Sequence, residues 1–157
     1  MSIPKHISEF LESQHVTYQH CIHSPAYTAQ GIAHTQHISG KEIAKVVMVM
    51  ADNNMVMAVL PGSQRIDLDL LKQLLNAETI RLATESEFRD IFPDCELGAM
   101  PPFGNLYHLE VWMDESLRAH LNIVFNAGTH AETIQMSLSD FERLVHPHMG
   151  SFSVLMH

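Results

Sequence analysis

At 157 residues, with 46% hydrophobic and 17% charged side chains, the chain has the size and balance of one soluble globular domain that can bury a core without metals or disulfides. Its formal charge of −9 argues against a protein that wraps nucleic acid along a basic stripe, and the cations are scattered, with Lys41 and Lys45 the one close pair. No apolar run approaches the roughly 20 residues that span a bilayer, MSIPKHISEF contains no apolar signal segment, and the distant Cys21 and Cys95 predict reduced thiols in a cytoplasmic protein.

In chain order, Ile3, Ile7, Phe10 and Leu11 predict an amphipathic helix from Ile3 to about Gln14, followed by a short strand over Val16 to His20 that ends at Ser24-Pro25. Thr28 to His37 is weakly helical and Ile38-Ser39-Gly40 breaks it. The clearest signal is a β-hairpin from Ile43 to Leu60, AKVVMVM and MVMAVL around the turn Ala51 to Asn54. Both faces of its first arm are apolar, which predicts a strand buried on two sides. Asp67 should cap a helix with the buried stripe Leu70, Leu71, Leu74 and Leu75. A strand at Ile80 to Leu82 follows, then a capping box, Thr84 with Glu87, leading a helix that Pro93 stops at Phe92. Tyr107 to Met113, Leu121 to Asn126 and Glu132 to Met136 read as strands, and Ser139 with Glu142 as the capping box of a last helix ending near Val145. Later strands joined by short turns predict a single α+β domain over 1–157, with a mixed, largely antiparallel sheet and flanking helices.

The segment Glu96 to Gly104, ELGAMPPFG, can continue neither a helix nor a central strand. It is a stiff loop presenting Met100 and Phe103, either a binding site carried on a scaffold or a connector packing both side chains into the core. Lys45 precedes a continuously apolar strand, so its ammonium should emerge at a pocket edge as a phosphate or carboxylate partner, or else snorkel at a strand end. Asn126-Ala127-Gly128-Thr129 with His130 forms a polar turn where glycine lets backbone amides face a ligand. Cys95 lies between Asp94 and Glu96, which disfavours a thiolate nucleophile. The twelve histidines form pairs (His20 with His23, His34 with His37, His146 with His148) but no HExxH and no paired CxxC, so no metal and no cofactor is expected.

Together, Lys45 before VVMVM, GAMPPFG at 98 to 104 and FNAGTH at 125 to 130 resemble the YbaK/prolyl-tRNA synthetase-associated editing domain family, in order over almost the whole chain. The resemblance implies a strongly curved mixed sheet and a freestanding trans-editing deacylase that hydrolyses the ester of a mischarged tRNA. A non-catalytic binding module of the same fold is the alternative. The implied partners are the acceptor end of that tRNA and an aminoacyl-tRNA synthetase, with no membrane and no DNA. By this similarity Lys45 holds the terminal adenosine phosphate and the loop at Gly98 offers backbone amides to the aminoacyl carbonyl. Met100, Pro101, Phe103 and Gly104 would rim a pocket for a small amino acid, and Asn126, Gly128, Thr129 and His130 would complete it. Thr129 separates Gly128 from His130, where synthetase-inserted domains carry Gly-His directly, and Pro101-Pro102 stands where cysteine-specific members carry Ser-Pro.

Overall fold

The computed structural model describes residues 4–22 and 43–155. The expected helix at Thr28 to His37, the Ser24-Pro25 and Ile38 to Gly40 breaks, Lys41, and His23, His34 and His37 lie outside the described residues.

The described elements are α1 (Lys5–Ser13), β1 (Tyr18–Ile22), β2 (Ala44–Ala51), β3 (Asn54–Pro61), β4 (Gln64–Ile66), α2 (Leu68–Leu75), β5 (Ile80–Leu82) and α3 (Glu85–Phe88). They continue with β6 (Glu110–Asp114), β7 (Asn122–Asn126), β8 (Glu132–Ser137), α4 (Leu138–Val145), β9 (His148–Gly150) and β10 (Ser153–Leu155). Five strands form a sheet in the order β5-β2-β3-β6-β9, three form β1-β8-β7, and β4 pairs with β10. Ladders are antiparallel except β3 with β6 and β6 with β9. A parallel bridge, Ile43 to Val124, joins the two larger sheets. This is the expected α+β architecture with a mixed, mostly antiparallel sheet.

The hairpin organises it. Asp52 and Asn53 take φ of 49° and 68°, the left-handed pair that a two-residue turn between twisted strands requires. Met48, Met57 and Val59 face a main core that also receives Ile7 and Leu11 of α1, Phe125 of β7, Ile134 of β8 and Phe141 of α4. Val49, Val56, Ala58 and Leu60 face a second core closed by Leu71 of α2 and by Phe152. Burial on both faces is thus what the doubly apolar arm dictates, each fully buried aliphatic side chain contributing about 1.5–3 kcal/mol.

Several boundaries move. The first strand runs two residues later than Val16 to His20, and the strand expected from Tyr107 begins at Glu110 because Gly104–Tyr107 winds into a 3-10 turn. In α2 the Asp67 carboxylate caps Leu70 N–H at 3.1 Å as expected, but Leu70 and Leu74 are 36% and 38% exposed. The inward line of this short helix is Leu68, Leu71 and Leu75, because only one edge of α2 meets the sheet. The Thr84–Glu87 capping box is present. The second box is not: α4 starts two residues earlier, with Ser137 Oγ accepting from Asp140 N–H at 3.1 Å, while Glu142 takes the Arg118 guanidinium at 2.7 Å. The short strands β4, β9 and β10 carry too few residues for a periodic signal.

Candidate functional site

Two of the three motifs are laced together by backbone. Glu96 N–H donates to the Gly128 carbonyl at 2.7 Å and Gly128 N–H to the Ala99 carbonyl at 2.9 Å. Glu96 Oε1 accepts from His130 N–H at 2.6 Å and lies 3.4 Å from His130 Nδ1. Gly98, with φ +85°, is the exposed crest of the loop, and a Cβ there would sit 3.4 Å from His130 Nε2. Gly128, with φ +97°, turns so tightly over the start of α1 that a Cβ would lie 2.6 Å from Pro4 Cδ. Left-handed φ of this kind favours glycine. The loop and the 126–130 turn therefore form one rigid body.

Lys45 belongs to the other side of the sheet junction. Side chains alternate along a strand, so Ile43 and Lys45 share a face of the β2 segment, and Val124 and Asn126 share a face of β7. The parallel Ile43–Val124 bridge sets those two faces side by side, running in the same direction. Lys45 and Asn126 thus lie on one face, opposite Met48 and Phe125, which point into the main core. Lys45 is half-buried, and desolvation lowers its pKa from the ordinary 10.5. A partly dehydrated ammonium gains more from an anion than a fully solvated one does. The Asn126 Oδ1 atom is buried with no hydrogen-bond partner among the described residues, an acceptor of the kind a native fold rarely leaves unmet without reason.

The expected pocket rim is corrected. Phe103 is fully buried and packs edge-on against Phe125 at 5.5 Å and Phe141 at 5.6 Å, with Phe10 at 6.2 Å. Met100 is 4% exposed in the same core, and Pro101 and Pro102 are buried. Gly104 is buried too, where a Cβ would lie 2.7 Å from Val111 Cγ2. The packing alternative therefore describes residues 100–104: an aromatic side chain seated among three others anchors the loop from below and leaves its Gly98 end outward. Thr129 is also inward, 5% exposed, with its hydroxyl donating to Glu132 Oε2 at 2.9 Å.

Sequence reasoning missed Glu96 and Glu132 as parts of this assembly. Glu132 is 3% exposed, and its other oxygen lies 2.9 Å from His20 Nε2 of β1. Its backbone carbonyl also accepts from Ala127 N–H at 3.0 Å, so one residue holds the turn through both main chain and side chain. The signal was available: in the predicted strand Glu132 to Met136, alternation puts Glu132 on the apolar face with Ile134 and Met136, and a carboxylate there needs a polar partner. Cys95 is close to the turn but chemically quiet. Burial, outweighing a contact with the Tyr107 hydroxyl and seconded by Asp94, pushes its thiol up to about 12. The phenol of Tyr107 is likewise raised, by burial first and then by Cys95.

Comparison with known proteins fits this geometry. The aminoacyl-tRNA editing domain model matches residues 23–144. A proline–tRNA ligase of Bacillus subtilis (strain 168) is 29% identical over 112 residues, 69% of this chain and 20% of the ligase. The multifunctional Ser/Thr-tRNA deacylase ProXp-y of Escherichia coli (strain K12) is 30% identical over 101 residues, 64% of this chain and 60% of that protein. The chain therefore spans less than two thirds of the length of either relative. Among solved structures, a hypothetical protein superposes with a TM-score of 0.85 at 19% identity, covering 94% of this chain and 99% of that one. A proposed trans-editing enzyme for prolyl tRNA synthetase superposes at 0.80 with 20% identity and 94% coverage of both. These two likenesses are of fold. The matched span covers most of the chain and contains Lys45, the 98–104 loop and the 126–130 turn, and the chain belongs to the aminoacyl-tRNA editing domain family.

Proposed function

We propose that this protein is a trans-editing deacylase, hydrolysing the ester between a small amino acid and a wrongly charged tRNA. The observation that carries the reading is the meeting of the Gly98 loop with the Asn126–His130 turn, beside the strand that bears Lys45. In this mechanism Lys45 binds the phosphate of the terminal adenosine, and its partial desolvation strengthens that contact. Backbone amides at the Gly98 crest meet the carbonyl oxygen as it gains charge; such preorganised donors are worth about 10²–10³ in rate each. Cys95 is held protonated, so water is the nucleophile, activated by the ribose hydroxyl adjacent to the ester. The buried Asn126 Oδ1 supplies an acceptor on the Lys45 face for a donor group of the substrate.

The reading suits the charge of −9, since gripping only an acceptor end needs few phosphate contacts. The relative from Escherichia coli, a Ser/Thr-tRNA deacylase, and the proline–tRNA ligase from Bacillus subtilis support small amino acids as the group removed and a synthetase as partner. The test is a deacylation panel of alanyl, seryl, threonyl and cysteinyl esters on more than one tRNA, with and without synthetase. Multiple turnover on at least one ester, unchanged by chelator, is expected. Saturable binding of the tRNA end without turnover on any ester would replace catalysis with recognition, and loss of activity in chelator would move the chemistry to a metal.

A further inference from the structure

We infer that His20 is a positioning residue for the Asn126–His130 turn, acting through the buried carboxylate of Glu132 and the hydroxyl of Thr129. Strand register makes the contact. In the β1–β8 ladder His20 stands opposite Ile134 and Ile22 opposite Glu132, so His20 and Glu132 are diagonal neighbours on one face, within reach of long side chains. A carboxylate only accepts, so His20 Nε2–H donates to Glu132 Oε1 at 2.9 Å, and the Thr129 hydroxyl donates to Oε2 at 2.9 Å. The same threonine oxygen accepts from Ala131 N–H at 3.3 Å, and the Glu132 carbonyl accepts from Ala127 N–H at 3.0 Å. The turn is thereby tied at both ends to one residue, and that residue is tied to β1.

Stability is a poor reason for such a pair. Ile134 and Met136 fill the same face of β8 and are buried in the main core, and an apolar side chain at 132 would extend that row. A buried charged pair is often no more stabilising than apolar residues of similar volume, and what it can add is a unique local arrangement. Here the arrangement has a direction. With Thr129 drawn inward, 5% exposed, its two neighbours present their backbone to the Gly98 loop. The Gly128 carbonyl accepts from Glu96 N–H at 2.7 Å, and His130 N–H donates to Glu96 Oε1 at 2.6 Å. Without the His20 donor, one oxygen of a carboxylate that is only 3% exposed loses its partner. Relieving that loss means moving residue 132 toward water, and the turn with it. The consequence for turnover rests on the deacylase reading; the hold on the turn does not.

Amide hydrogen exchange of wild type, His20→Leu and His20→Gln, read residue by residue, tests the hold directly. Leucine fills the space without a donor, and the glutamine amide nitrogen replaces Nε2–H. In His20→Leu the Glu96, Ala127, Gly128 and His130 amides should exchange at least about 10-fold faster while the β2–β3 hairpin keeps its wild-type rates, the mark of a local opening. His20→Gln should keep most of the protection. On whichever ester the panel identifies, His20→Leu should lower kcat roughly 10- to 100-fold, the scale of a misplaced site, with KM within about threefold. His20→Gln should recover most of that rate. Unchanged turn amides in His20→Leu, or equal acceleration in turn and hairpin, overturn the assignment whether or not any ester is hydrolysed. A loosened turn with wild-type kcat on a hydrolysed ester overturns the catalytic consequence. Should His20→Leu fail to fold, Thr129→Val cuts the same chain of bonds at its other end and is read at the Ala127 and His130 amides, where unchanged exchange overturns the assignment.

Discussion

Replacing Phe103 distinguishes a core anchor from a pocket wall. The side chain is fully buried, with three ring partners at 5.5, 5.6 and 6.2 Å, so Phe103→Ala removes its transfer free energy and leaves a cavity, a loss of about 3–5 kcal/mol. That is a large share of the roughly 5–15 kcal/mol that holds an ordinary domain together. With a urea m-value of about 2 kcal/mol/M, the midpoint should fall by about 1.5–2.5 M. The transition can be followed by the fluorescence of the sole tryptophan, Trp112, which packs against the second core. Phe103→Leu keeps most of the volume and should lose about 1–1.5 kcal/mol, remaining folded for kinetics. Its deacylation should stay within about threefold of wild type in both kcat and KM. An unchanged midpoint together with a KM raised about tenfold would refute the anchoring argument and return Phe103 to the pocket.

Four further outcomes follow from the geometry. Lys45→Ala should keep its melting temperature and lose at least about 10-fold in kcat/KM on the edited ester; because burial lowers the Lys45 pKa from 10.5, wild-type affinity for the tRNA end should weaken with rising pH sooner than an exposed lysine would allow. Gly98→Val places a branched side chain at φ +85° against His130, and single-turnover rates should fall about 100-fold, the scale of a lost oxyanion donor, while circular dichroism stays native. Gly128→Ala combines φ +97° with a Cβ 2.6 Å from Pro4, an expected loss of about 2–4 kcal/mol, seen in calorimetry as a melting point lower by roughly 5–15 °C. Glu87, paired first with Arg81 and held by Thr84, has its carboxyl lowered from 4.5 to about 2. A depressed carboxyl stabilises the fold above its unfolded value and loses that effect as pH falls. The melting-point gap between wild type and Glu87→Gln should therefore be constant above about pH 5 and close toward pH 2; a gap that widens on acidification would reverse the assignment.

Legibility tracked the length of each signal. The hairpin was readable because eight apolar-rich residues per arm and an Asp-Asn turn say the same thing. The Thr84 box is present with both its bonds local, whereas the Ser139 box failed against Ser137, the other of two serines that could cap the same helix. In α2 periodicity located the helix but not its rotation: five leucines offer two overlapping stripes, and contact with Phe152 and β2 selects the one through Leu71. Phe152 lies between β9 and β10, two strands too short to announce themselves.

The site was legible as a set of motifs and illegible in its orientation. Proline and glycine mark 98–104 as a shaped loop, yet nothing local tells whether Phe103 faces a ligand or the three phenylalanines that surround it, since those lie on α1, β7 and α4. Two glycines of similar appearance divide the same way: Gly98 is required by its φ of +85°, Gly104 by the 2.7 Å separation a Cβ would have from Val111. The position of Lys45 follows from something the sequence does contain. A strand apolar on both faces must have a core on each, so a lysine in it cannot point at solvent across a flat sheet and must leave where the sheet's cover ends. The Ile43–Val124 bridge lies two residues before Lys45 and two before Asn126. Its parallel register sets one cation, half-buried in β2, and one acceptor unmet among the described residues, Asn126 Oδ1 in β7, on a shared face although 81 positions separate them in number.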